Sequence, residues 1–262
     1  MKITTQAWET YIRRLAKLNE KAAQLMAEYL AAHGTADTEA LIDYAAALVQ
    51  KYGEGSAELA CQMYDAMAAL QNARVSPAEP AAPASRREVA RMVLATRESP
   101  PQMQRGVSRL VKRAGADTTL KNAQRDGAEF AWVPHGDSCA FCLTLASRGW
   151  QRASQAAIKG GHAEHIHANC DCEYAVRFDG RTSVAGYDPE AYLAQYNAAG
   201  GDINRMRRVN YAKNKERINA QKRAAYALRQ KNRGKKVAIT DIAIQKVPLV
   251  APNGANDQTA FF

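Results

Sequence analysis

Apolar residues recur every three or four positions through most of the first 128 residues. In the first such stretch, from Trp8 to Leu30, charged residues fill the opposite face, and Gly34 follows as a typical helix end. This periodicity is that of an amphipathic helix. The same criteria predict further helices near residues 38–52, 56–74, 85–97, 102–114 and 117–128. The sequence therefore predicts a mainly α-helical protein that begins with a multi-helix bundle.

A proline-rich stretch interrupts this predicted bundle. Three prolines fall within residues 76–84, and proline cannot continue a helix. We therefore expect a linker or long loop within a helical domain of residues 1–128. Ser85 and Glu88 then form a capping-box pattern that starts the next helix. Cys61 lies alone in a helical stretch of small apolar residues, which predicts a buried thiol with no ligand role.

The composition restricts the class of protein. With 47% apolar residues the chain can bury a core, which excludes a wholly disordered protein. The sequence contains no run of about 18 uncharged apolar residues, which argues against a membrane span. Its first residues lack the pattern of a signal peptide. We therefore expect a soluble intracellular protein without membrane contact.

The sharpest local signal is a cluster of four cysteines within 34 residues. Cys139 and Cys142 form a C-x2-C pair, and His167, Cys170 and Cys172 form an H-x2-C-x-C group. Zn²⁺ prefers four such ligands in a tetrahedron, and structural sites use this spacing. The surrounding glycines and two predicted strands, at 130–133 and 174–178, indicate a small α+β module over residues 129–180.

Three interpretations of the cysteine cluster remain open at this stage. A structural zinc site suits paired cysteines in an intracellular chain, whereas disulfides would require later oxidation and unligated thiols would have no ligand role. For the zinc site, Cys139, Cys142 and Cys172 are the expected members. His167 and Cys170 compete for the fourth position. A closed four-ligand site leaves no position for a substrate, so no catalytic residues and no small-molecule substrate are predicted.

An enzymatic alternative involves the residues just before His167. His162, Glu164 and His165 could serve a metal-dependent hydrolase or nuclease. The pattern of zinc deaminases needs H-x-E before the cysteine pair, and here the order is reversed. The asparagine and second histidine of HNH nucleases are missing at usable spacing. The expectation is therefore a protein without enzymatic activity.

Positive charge is concentrated in one segment near the C-terminus. The chain has a formal net charge of +10, and residues 201–236 contain 13 of its 36 Lys and Arg but only 2 of its 26 Asp and Glu. The rest of the chain is nearly neutral. We expect residues 181–236 to be a helical basic segment, with Asp202 capping its long helix, and residues 237–262 to form a short strand and a flexible tail.

A 15-residue repeat lies within this basic segment. The pattern Ile-Asn-x-x-basic-Arg-x-x-Tyr starts at Ile203 and again at Ile218. On a helix the two copies share roughly one side, about 22 Å apart. A solvated helix docked through Ile and Tyr is one explanation, and contact with nucleic acid or an acidic partner is the other. The candidate contact residues are Arg207, Arg208, Tyr211, Lys222, Arg223 and Tyr226.

The assembled motifs resemble those of the MuF-like minor capsid proteins of tailed bacteriophages, also called head-morphogenesis proteins. The resemblance is most specific in residues 125–172, where Arg125-Asp126 precedes the C-x2-C and H-x2-C-x-C groups. Residues 52–53 and 61–65 and the doubled Ile-Asn/Arg/Tyr pattern are similar to actinobacterial-phage members. The resemblance covers roughly residues 5–230.

The resemblance implies a minor virion protein at the portal or in the capsid interior, present in the host cytoplasm during assembly. Its implied partners are the portal and major capsid proteins and, through the basic helix, packaged double-stranded DNA. A capsid maturation protease activity, found in some relatives, is not expected because the sequence shows no Ser-His-Asp set. The alternative from a different class is a free zinc-containing DNA-binding protein.

Overall fold

A computed structural model describes residues 2–136, 138–159 and 171–233. Within these ranges the protein is mainly α-helical, as predicted, with eight helices and five short strands. The helices are α1 (Thr5–His33), α2 (Thr38–Leu70), α3 (Arg86–Thr96), α4 (Pro100–Arg125), α5 (Ala140–Ala146), α6 (Gln155–Lys159), α7 (Pro189–Ala198) and α8 (Ile203–Arg233). The strands are β1 (Lys2–Ile3), β2 (Glu129–Val133), β3 (Gln151–Arg152), β4 (Glu173–Arg177) and β5 (Ser183–Val184). None of the described helices is long and apolar enough to cross a membrane.

Helix α1 confirms the first amphipathic pattern. The Thr4 hydroxyl caps its N-terminus by accepting a hydrogen bond from the backbone N–H of Ala7, at 3.3 Å. Gly34 ends the helix with a φ of 68°, in the left-handed region that glycine tolerates best. The apolar face of α1 is buried, including Trp8 and Leu15.

Helices α2 and α4 each replace two predicted shorter helices. The expected breaks fell near Gly53 and near Gly115, and both glycines instead lie inside continuous helices. A Cβ atom at Gly53 would lie 3.0 Å from Pro83 Cβ, and one at Gly115 would lie 2.7 Å from Ser56 Oγ. These glycines therefore allow close packing, which offsets the roughly 1 kcal/mol that glycine costs inside a helix.

The proline-rich segment 76–84 is a loop held against the helices. Ala81 and Ala84 are buried. Proline has no backbone N–H, and polar side chains of α2 and α4 accept hydrogen bonds from three of the other backbone N–H groups in this loop. The backbone N–H of Ala78 donates to Asp65 Oδ1 and that of Glu79 donates to Asn122 Oδ1. The backbone N–H of Ala81 donates to Thr118 Oγ1. The segment is therefore a loop that packs against α2 and α4.

A three-stranded antiparallel sheet follows the first four helices. Its order is β3-β2-β4, with Phe130 opposite Val176 and Trp132 opposite Tyr174. Strands β2 and β4 confirm the two predicted strands of the small module. A second, two-stranded sheet pairs β1 with β5 in parallel, and no pattern in the sequence predicted it.

The sheet shares a hydrophobic cluster with the helices. Trp8 of α1, Tyr64 of α2 and Leu120 of α4 belong to the same buried cluster as Phe130 and Tyr174 of the sheet. A second cluster lies among α1, α2, α3 and α4. Packing therefore continues across residue 128, and the predicted domain boundaries stay predictions.

A buried ion pair joins α4 to the sheet. Lys112 Nζ lies 3.2 Å from Glu173 Oε1, and the two side chains are only 2% and 5% exposed. The Lys112 ammonium also lies 5.9 Å from the centre of the Trp132 ring, within the range of a cation–π contact. Burying either charge alone would be costly, so the pair fixes how α4 meets β4.

We predict that Lys112→Met lowers the free energy of unfolding by about 3–5 kcal/mol, because it removes the positive charge beside a buried carboxylate. The double variant Lys112→Met with Glu173→Leu should be clearly more stable than this single variant, since it removes both charges. Urea titrations of the wild type, of Lys112→Met, of Glu173→Leu and of the double variant measure the differences. A double variant that loses as much as the two single variants together would contradict the proposed pairing.

Candidate functional site

The turn after β2 carries the C-x2-C pair. We call residues 134–136 and 138–142 the cysteine turn. Gly136 turns the chain with a φ of 58°, and Cys139 occupies the N-cap position of α5, which places Cys142 in its first helical turn. The Cys139 and Cys142 Sγ atoms lie 3.7 Å apart. Two thiolates on one tetrahedral Zn²⁺, with Zn–S bonds of about 2.3 Å, would be about 3.8 Å apart.

The sheet brings Cys172 to the cysteine turn. Cys172 directly precedes β4 and is fully buried. The backbone N–H of His135 donates to Cys172 Sγ at 3.4 Å, and Ser138 Oγ lies 3.2 Å from the same sulfur. Pairing of β2 with β4 produces this contact, because Val133 lies opposite Glu173.

Cys139, Cys142 and Cys172 of the predicted metal site lie within the described residues. Within residues 2–136, 138–159 and 171–233, no group of three or more His, Cys, Asp or Glu is placed to hold a metal ion. His167 and Cys170 lie outside the described residues, as do His162, Glu164 and His165 of the enzymatic alternative. Cys61 is buried in α2, and this burial raises the pKa of its thiol to about 11.

The basic segment forms one long helix, α8. Its N-terminus is capped by Asp202, whose carboxylate accepts a hydrogen bond from the Arg205 N–H at 2.7 Å. This bond lowers the pKa of Asp202. At 1.5 Å per residue, 31 helical residues extend about 46 Å. The six candidate contact residues are all exposed on this helix, and Tyr226 is 64% exposed.

Among the described side chains of α8, those that pack against the body lie in its first half. Met206 is buried against Ala140 of α5 and Ala199 after α7. The described side chains beyond Asn219 are all exposed. The second copy of the repeat therefore extends away from the first copy, along a helix surface that faces solvent.

A hydrogen bond from Asn210 connects α8 to the cysteine turn, and two further side-chain bonds continue from Asn210 along α8. The Asn210 Nδ2 atom donates to the Ser138 carbonyl at 3.3 Å, and the Asn210 Oδ1 atom accepts from Asn214 Nδ2 at 2.8 Å. The Asn214 Oδ1 atom in turn accepts from Arg217 Nη2 at 3.1 Å. Sequence reasoning missed these three residues of α8, although two asparagines four positions apart on one helix face were a usable signal.

A groove of about 650 Å³ lies between the cysteine turn and α8. Its lining combines basic, amide, aromatic and apolar side chains from the turn, α5, α7 and α8. Among them are Ser138, Leu143, Tyr192, Arg207, Asn210, Tyr211, Asn214, Arg217 and Ile218. Two of the predicted contact residues, Arg207 and Tyr211, therefore belong to a concave site, and the other four candidates do not line it.

Arg125 and Asp126, which precede the cysteine motifs in the sequence, have a structural role. Tyr64 donates a hydrogen bond to Asp126 at 2.7 Å, and the Arg125 guanidinium, which lowers the pKa of Asp126, lies 2.8 Å from the same carboxylate. Arg125 also donates to the backbone carbonyls of Ser76 and Pro77. The Arg-Asp pair therefore ties the end of α4 to α2 and to the proline-rich loop.

The profile of the VG15 protein family matches residues 2–199, about three quarters of the chain. The chain belongs to the VG15 family. VG15 is a family of viral proteins from bacteriophages, which agrees with the phage origin expected from the motifs. The VG15 match includes the helical body, the sheet, the cysteine turn and α7, whereas α8 lies beyond it. No curated protein and no solved structure matches the chain significantly.

Proposed function

We propose that this VG15 protein is a minor structural component of the phage head, of the MuF-like head-morphogenesis type, with no enzymatic activity. It would act at the portal or in the capsid interior of the virion after assembly in the host cytoplasm. The phage family and the motif resemblance around residues 125–172 support this proposal. Its partners would be the portal and major capsid proteins and packaged double-stranded DNA.

The observation that carries the DNA contact is the charge and exposure of α8. Its 31 residues include eleven Lys or Arg and one acidic residue, Glu216. The two repeat copies lie on one uninterrupted helix, whose second half extends away from the body. We call this exposed basic surface of α8 the ridge. It suits a ligand with evenly spaced negative charges, because Lys and Arg neutralise phosphates without reading bases. Packaged DNA is such a ligand whatever its sequence.

A structural zinc ion is the second part of the proposal. Cys139 and Cys142 have the sulfur separation that a shared tetrahedral ion requires. Two further ligands would come from Cys172, Cys170 and His167. The ion would fix the cysteine turn, and with it the Ser138 carbonyl to which α8 is bonded. A site closed by four protein ligands has a structural role.

We predict that DNA binding by the full-length protein weakens steeply with salt and that neutralising α8 flattens this dependence. The test variant carries four substitutions to glutamine, at Arg207, Arg208, Lys222 and Arg223. If each contacts one phosphate, the slope of log K against log salt falls by roughly 3 to 4 for duplex DNA. Fluorescence anisotropy with a blunt duplex at several salt concentrations measures this slope.

The matched control places four glutamines on the exposed face of α1. Its positions are Arg13, Arg14, Lys17 and Lys21, which are all exposed. This variant has the same net charge as the test variant and should retain most of the original slope. Equal slopes for the two variants would show that net charge, rather than α8, produces the binding. Salt-independent binding would instead point to a protein partner.

We predict about one zinc ion per chain in protein purified without chelators. Cys139→Ser should lose the ion and lower thermal stability, because a structural zinc contributes directly to folding. Cys61→Ser is the matched control, since this thiol lies in α2, and it should keep the ion. Elemental analysis with thermal melts measures both effects. Metal-free wild-type protein with unchanged stability in chelator would contradict the zinc site.

A further inference from the structure

We propose that the groove between the cysteine turn and α8 binds one unstacked nucleotide of a nucleic-acid strand. This inference rests on the proposed DNA contact and makes it more specific, because it separates a concave site from the rest of the basic helix. The volume of about 650 Å³ lies within the usual range of ligand sites, roughly 300–1,000 Å³. The groove faces solvent along α8, so a strand can enter it from the ridge.

The aromatic lining suits the flat face of a base. Tyr192 of α7 and Tyr211 of α8 both line the groove, together with the apolar side chains of Leu143 and Ile218. The Tyr211 side chain is 45% exposed, so part of its ring is accessible to a base that enters the groove. Stacking on aromatic rings is sequence-tolerant, since every base has a π-face.

The basic lining suits the phosphate that accompanies the base. Arg207 and Arg217 line the same groove. Asn204 Oδ1 accepts from Arg207 Nη1 at 3.3 Å, and Asn214 Oδ1 accepts from Arg217 Nη2 at 3.1 Å. These bonds orient both guanidinium groups before a ligand arrives, which reduces the entropy lost on binding. Planar guanidinium forks match the geometry of phosphate oxygens.

The surroundings of the groove favour nucleic acid over an acidic peptide. An acidic peptide would use the arginines but would gain little from two tyrosine rings. The second repeat copy also lies about 22 Å further along the same side of α8, and it supplies Lys222 and Arg223. A strand with one base in the groove can therefore continue along a line of positive charge.

A duplex keeps its bases stacked and would contact only the ridge of α8. The groove therefore predicts a preference for single strands or frayed ends over blunt duplexes. The informative quantity is the ratio of the two affinities, because a loss of general charge lowers both. A change confined to the groove lowers the single-strand affinity alone.

The test uses fluorescence anisotropy with the full-length protein and three probes. These are an oligothymidylate of about a dozen nucleotides, a blunt duplex of equal length and a glutamate-rich peptide. Tyr211→Leu should weaken binding of the single strand about five-fold or more and leave the duplex nearly unaffected. Tyr226→Leu alters the equivalent tyrosine of the second repeat copy, which lies outside the groove. It should change the two affinities by the same factor.

A second pair of variants tests the phosphate contact independently of the tyrosine. Arg207→Gln should lower the salt slope for the single strand by about 0.7 and reduce the affinity ratio. Arg205→Gln removes the same charge from the same helix, outside the groove, and should leave the ratio unchanged. Circular dichroism and thermal melts show whether each variant is folded.

The outcomes separate this inference from the proposed function. If wild-type protein binds duplex and single strand equally, and both tyrosine variants behave alike, the groove site is wrong and the DNA contact stands. If wild-type protein binds neither DNA probe, the proposed DNA contact itself fails. Binding of the peptide alone, weakened by Tyr211→Leu, would overturn the inference in favour of an acidic protein partner.

Discussion

The buried pair of Lys112 and Glu173 is the constraint on which the rest of the arrangement depends. It fixes α4, the helix that packs against both α1 and α2, to the strand β4. Glu173 directly follows Cys172, and Cys172 contacts the cysteine turn. The turn is bonded to α8 through Asn210. A continuous series of contacts therefore runs from the interior of the helical body to the basic helix.

This series of contacts explains how a nearly neutral body holds a strongly charged helix in place. A long cationic helix has little apolar surface to bury, so packing alone would hold it weakly. Here Met206 supplies one buried contact, and Asn210 donates a hydrogen bond to the Ser138 carbonyl of the cysteine turn. The second half then extends in a defined direction.

Local patterns in the sequence predicted the elements whose signals are local. The end of α1 at Gly34, the capping box of α3 and the Asp202 cap were all predicted, because each depends on residues within about one helical turn. The joining of helices in α2 and α4 was not, since the role of Gly53 and Gly115 depends on Pro83 and Ser56 from distant parts of the chain. The groove was not predicted for the same reason, because it depends on residues from distant parts of the chain. Its wall comes from three separate segments, and the sequence singled out Cys139, Arg207, Tyr211 and Ile218 without predicting that they lie together.

The central proposal is that this VG15 protein is a minor component of the phage head. Quantitative mass spectrometry of purified virions tests it most directly, with particles lysed after nuclease treatment and compared with the infected-cell extract. We predict that the protein remains with intact particles, at far fewer copies than the major capsid protein. Its presence in the extract together with its absence from purified particles would contradict the proposal.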